Sequence, residues 1–175
     1  GNIKKNGYSV GLRVENTDIV GEFKNDAAPL INKNYTDFFP KVQFDMPIDS
    51  SKSISLNYSK SISRPNYSSL SQGTTYINPY FLYARNINLN PTINNQISSS
   101  FQYHDKSVKL SYYQNTDPVY SSFTFDDQTD ILTFQETNFK KESGFNLEFN
   151  LPFAYKFWTS TNSLNFVLNK LWAYK

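Results

Sequence analysis

The chain has 175 residues, enough for one sizeable core, yet only 38% are hydrophobic and 18% charged; 21 Asn, 21 Ser, 13 Tyr and 15 Phe dominate instead. A net charge of +2 with no basic block is too small to argue for a nucleic-acid or anionic-surface binder, and the lack of Cys excludes disulfides and thiolate metal sites. No apolar run reaches the roughly eighteen residues a membrane helix needs.

The pattern is β from the start. Tyr8, Val10, Leu12 and Val14 alternate with Ser9, Gly11, Arg13 and Glu15. After an excursion over 16–34, Val42, Phe44, Met46 and Ile48 alternate with Lys41, Gln43 and Asp45. "DSSK" at 49–52 is a short link, and "SISLNYSKSI" then places Ile54, Leu56, Tyr58 and Ile62 on one face. The regularity stops at "SRPNY", because Pro65 has no N–H for a ladder and pushes Arg64 into an extended conformation. A second excursion over 63–95 carries Tyr67, Tyr76, Tyr80 and Tyr83 among many Asn.

Alternation resumes at Ile97, Phe101 and Tyr103, turns at "HDKS" (104–107), and continues through Val108, Leu110 and Tyr112. The runs 107–125 and 131–153 read as strands longer than a bilayer demands, with "DDQTD" (126–130) at their tip. Phe145, Leu147, Phe149, Leu151 and Phe153 lead to a third short link, "AYKF" at 154–157, and Leu164, Phe166 and Leu168 form the last strand despite Val167. Period-two segments throughout, with no helical period, predict an all-β chain: an antiparallel up-and-down meander of about seven long strands, one unit over 1–175.

The links are sorted. Short ones recur about every fifty residues along the chain, so tight turns lie at one end of the sheet and long excursions at the other. A transmembrane β-barrel has this asymmetry, with short periplasmic turns, long outer loops and strands of about 9–11 residues. Aromatics at Phe153, Tyr155, Phe157, Trp158, Trp172 and Tyr174 suit its interfacial girdles. The competing architecture is a soluble β-sandwich serving as a carbohydrate-binding, ligand-binding or adhesin module, which would bury the apolar face under a second sheet.

Several stretches occur in the order found in one family: "GLRVENT" (11–17), "YTDFFP" (35–40), "SLNYSKSISRPNYSSL" (55–70), "NINLNP" (86–91), "TDPV" (116–119) and "NLPFAYKFWTSTNSLNFVLNK" (150–170). With these the chain resembles the outer-membrane barrel of TonB-dependent receptors, the Bacteroidetes type in particular, over nearly its whole length. Ile87 departs from it, standing where that family often has proline. The resemblance implies an outer-membrane location in a Gram-negative bacterium, lipid around the wall, and import of a nutrient such as a siderophore or glycan. It also implies partnership with TonB and a plug domain, neither of which is recognisable in this sequence. The chain then reads as a C-terminal piece of a larger barrel wall, expected to self-associate through its open edges.

Candidate ligand contacts are Arg64, Tyr67, Tyr76, Tyr80 and Tyr83, whose aromatic faces and polar neighbours suit a sugar, peptide or chelate; Arg13 and Glu15 are a candidate ion pair inside a lumen. An enzyme is not indicated. His104 is the only histidine and sits in a turn, no nucleophile motif or phosphate-cradling glycine loop occurs, and no cofactor is implied. "DDQTD" lacks the glycine and terminal glutamate of a calcium loop and reads as a hairpin tip.

Overall fold

The computed structural model describes residues 6–21, 31–70 and 73–174. Seven strands form the main sheet: β1 (Gly7–Gly21), β2 (Ile31–Pro47), β3 (Lys52–Ser63), β6 (Thr92–Tyr103), β7 (Lys106–Thr116), β10 (Lys141–Asn150) and β13 (Ser163–Trp172). They pair antiparallel in chain order, which is the expected meander. A second sheet, in the order β4 (Thr74–Asn78), β5 (Phe81–Ala84), β9 (Ile131–Asn138), β8 (Val119–Asp126), gathers the two long excursions. A small hairpin, β11 (Phe153–Tyr155) with β12 (Trp158–Ser160), stands alone.

Residues opposite one another in an antiparallel ladder share a face. One row crosses all seven strands as Val10, Val42, Tyr58, Ile97, Tyr112, Phe145 and Leu168, apolar at every position. One residue along, the row on the other face is Ser9, Gln43, Asn57, Ser98, Ser111, Asn146 and Val167. Val167, which broke the alternation, is the one apolar member of that row.

Burial runs opposite to a soluble protein. Val10 and Leu168 on the apolar face are each 75% exposed, while Ser111 on the polar face is 2% exposed. Among the described residues, Phe39 and Leu89 are the buried core hydrophobics. Leaving a seven-residue apolar row in water forfeits on the order of 10 kcal/mol relative to burying it. No second sheet covers that face among the described residues, so the sandwich alternative fails and the face requires an apolar solvent.

The short turns lie together. Asp49 Oδ1 accepts from the backbone N–H groups of Ser51 (2.7 Å) and Lys52 (2.9 Å), closing the β2–β3 turn. His104, at φ 52°, makes the two-residue β6–β7 turn, and its N–H donates to the Ser51 carbonyl next door at 2.7 Å.

Four expectations need correction. The first excursion is shorter than 16–34, because β1 and β2 stay paired out to Gly21 and Ile31. The runs 107–125 and 131–153 are not continuous strands: Asp117, at φ 53° before Pro118, ends β7, and the chain crosses into the second sheet. The link at 154–157 is the tip of the β11–β12 hairpin, not a bare turn between β10 and β13. Finally, pairing is not antiparallel everywhere, since β5 and β9, from different excursions, pair in parallel.

Candidate functional site

The end of the sheet opposite the short turns carries the candidate residues, in two groups. The first is a cationic–aromatic cluster on the wall. Glu15 receives Arg13 Nε at 3.1 Å on one oxygen and an Arg64 guanidinium nitrogen at 2.7 Å on the other. Strand spacing explains the first contact, because Arg13 and Glu15 are two apart and so share a face. The second is tertiary: Pro65 ends β3 one residue on, and Arg64 reaches back over β1, donating also to Thr17 Oγ1 at 3.1 Å. Arg13 and Lys60 stand over the Phe39 ring at 4.9 and 5.7 Å, covering one of the few buried hydrophobics.

The second group is the cap formed by the β4–β5–β9–β8 sheet. Its base is laced by the "NINLNP" stretch. Asn86 Nδ2 donates to the Glu136 carbonyl at 3.1 Å, while Asn90 and Asn138 exchange two bonds, at 2.8 and 3.0 Å. The Asp117 carbonyl accepts from Thr92 Oγ1 at 3.0 Å and Asn138 Nδ2 at 2.7 Å, and the Tyr174 hydroxyl bonds the Asp117 carboxylate. Leu89 is buried inside this lacing. One face of the cap stacks Tyr83 on Phe134 (5.4 Å between ring centres) and Phe134 on Phe123 (5.1 Å).

The structure therefore divides the five candidate contacts. Tyr76 and Tyr80 stand exposed at the β4–β5 tip. Tyr83 is half-buried in the aromatic stack, so it holds the cap together. Arg64 is engaged on the wall, far from a free loop role. The Tyr67 backbone opens a single 3₁₀ turn, Tyr67–Leu70, while its side chain lies outside the described residues. The acidic tip is local structure: Asp126 accepts from Gln128 N–H and Thr129 Oγ1, both at 2.9 Å. Among the described residues no three His, Cys, Asp or Glu side chains are placed to share a metal ion.

Sequence reading missed a third feature on the polar face. Glu142 is 6% exposed and accepts from Asn115 Nδ2 at 2.8 Å, Tyr113 Oη at 3.4 Å and Asn169 Nδ2 at 3.4 Å, tying β7, β10 and β13 together. Tyr120 of the cap sits beside it, and burial, then the neighbouring Glu142 carboxylate, push that phenol up to about 12. The available signal was Gly144, two residues on, which makes room for Tyr113. Nearer the short turns the same face holds a recess of about 460 Å³, where Lys109 and Glu148 pair at 3.7 Å. Ser111 Oγ and Asn146 Oδ1, opposite one another, find no protein partner among the described residues.

The site thus combines a wall apolar outside and hydrogen-bonding inside with an aromatic, amide-rich cap over one end. A family model described as "Outer membrane protein beta-barrel family" matches residues 1–173. No curated protein matches the chain.

Proposed function

The chain belongs to the outer membrane protein beta-barrel family and resides in the outer membrane, and on that premise we propose that it is a wall segment of a TonB-dependent receptor that imports a nutrient. One observation carries this reading: an unbroken seven-strand wall, bare and apolar on one face and polar on the other, bears a folded cap at the long-loop end alone.

Strand parity supports the segment reading. Seven antiparallel strands leave β1 and β13 as edges that run in the same direction. They cannot close on each other antiparallel, and a second copy related by rotation about the barrel axis would also meet parallel. An all-antiparallel barrel therefore needs an odd number of further strands in addition to these. Buried polar atoms at Ser111 and Asn146 without partners among the described residues fit a lumen that is wet or filled by a polar plug. In this reading Tyr76 and Tyr80 touch the incoming ligand, Tyr83 braces the cap, and the Arg13–Glu15–Arg64 cluster holds the cap's root to the wall.

The test is uptake across single nutrient sources by intact cells with and without the gene, and by cells with the gene before and after collapsing the inner-membrane proton gradient. A receptor of this type loses uptake of one nutrient class in both cases. Uptake that needs the protein but survives the collapse would make it a passive pore instead.

A further inference from the structure

Among the described residues β8 is a free edge of the cap sheet, paired with β9 on one side and with no strand on the other. It stays in register with β9 from Val119 to Asp126 without a bulge, and it holds no Pro, Lys or Arg. Those are the usual guards of an exposed edge. The opposite edge, β4, is only five residues long and slips register between Tyr76 and Asn78.

The ladder fixes which backbone groups of β8 are open. Phe139 N–H donates to the Pro118 carbonyl at 2.8 Å, so the opposed pair 118–139 is a hydrogen-bonded one. Such pairs alternate with non-bonded ones along an antiparallel ladder. Val119, Ser121, Phe123 and Phe125 therefore aim their N–H and C=O groups off the free edge. Side chains follow the same phase. Tyr83, Phe134 and Phe123 form one row across the cap, and Phe81, Leu132 and Phe125 form the next. Both rows end at β8, where Phe123 is 63% and Phe125 56% exposed.

We propose that this edge binds a free peptide in extended form, which joins the cap as a fifth strand. The main chain of a peptide matches a row of donors and acceptors at strand spacing, which a sugar or a chelate does not offer. Peptide side chains opposite Phe123 and Phe125 extend the two aromatic rows, so apolar rings two residues apart are favoured. Charge sets the direction. Antiparallel addition starts the peptide beside Asp126 and Asp127 at the hairpin tip, both exposed, and a terminal amine or a lysine meets their carboxylates there. In the import reading this makes the nutrient a peptide; binding is measured without uptake, so that the two readings fail separately.

The probe is a peptide with a free N-terminal lysine, then alternating phenylalanine and threonine, labelled at its C-terminus. It is titrated by fluorescence anisotropy against the full chain in detergent micelles. Peptide residues opposite Phe123 and Phe125 donate their own N–H to β8, and the intervening ones point away. N-methylation of the phenylalanines should weaken binding at least about tenfold, and N-methylation of the threonines less than about threefold. Ser121→Pro removes an outward donor and leaves the β9 ladder intact, so it should weaken the unmodified peptide to a similar degree. If Ser121→Pro misfolds, the two methylated peptides still decide. Equal loss with both, no loss with either, or no binding at millimolar peptide overturns the proposal. So does a dimer in micelles that Ser121→Pro dissolves, which gives the edge to a second copy of the chain.

Discussion

The Tyr113 phenol lies against Gly144 on the neighbouring strand, so closely that a β-carbon on Gly144 would stand 2.9 Å from its oxygen and 3.0 Å from its ring. The same β-carbon would collide with the Leu168 backbone carbonyl oxygen. Gly144→Ala should therefore destabilise the wall by about 1–3 kcal/mol, the usual cost of overpacking. Gly11→Ala, with nothing within 4 Å of the new methyl, should be neutral or mildly stabilising. Urea unfolding of both variants in detergent micelles checks the contrast; equal losses would remove the role given to the Tyr113–Gly144 contact.

Adjacent residues on β6 test which face meets lipid. Ile97 belongs to the apolar row, and Gln96 points the other way beside Tyr113. Ile97→Arg should cost about 2–4 kcal/mol in a bilayer, as charges do at the midplane. Gln96→Arg should cost far less, because it enters the polar side. Reversible unfolding from vesicles measures both, and similar costs would mean that the faces are assigned wrongly.

Glu15 holds two guanidinium groups, and one of them, Arg64, roots the cap excursion. Arg64→Ala should raise protease cleavage within residues 64–73, and Glu15→Gln should do the same. The double variant should add little to either, because both changes break one contact. The effect should shrink as salt rises, since the groups are partly exposed. Additive cleavage rates at low salt would show that the two residues act separately.

Asp49 supplies the pH dependence. Hydrogen bonds from the Ser51 hydroxyl and then its backbone N–H hold the carboxyl down at about 2. A depressed native pKa stabilises the fold only while the unfolded carboxyl is ionised, above about pH 4. That contribution is present at neutral pH and disappears as pH falls from about 4 towards 2. Asp49→Asn should flatten the stability profile in this window and leave it unchanged in shape above it. An unaltered acid limb would assign the acid sensitivity to other carboxylates.

The purified chain should self-associate in buffer and disperse in mild detergent, because it presents a bare apolar face and two unpaired strand edges. Light-scattering mass at several concentrations measures this. A monomer indifferent to detergent would mean that the apolar face finds cover within the chain.

The sequence by itself determined about seven alternating wall strands, their antiparallel order, their facing and two of the three short links. These follow from period-two alternation, which is local and survives whatever the distant chain does. Val10, Ile97 and Leu168 could be assigned to one face because each sits in its own alternating run. Only the tertiary structure decided how the excursions fold. β5 and β9 pair in parallel across about fifty residues of chain, and neither strand carries a mark naming its partner. Arg64 was legible as the end of β3 but not as a partner of Glu15, 49 residues earlier. Glu142 looked like one more polar position, and its burial depends on Tyr113, Asn115 and Asn169 arriving from flanking strands. The aromatics of "FAYKFW" were visible as a cluster, but the register that puts three of them on one side is a property of the hairpin. Alternation states which way a side chain points, and long-range pairing decides what it meets there.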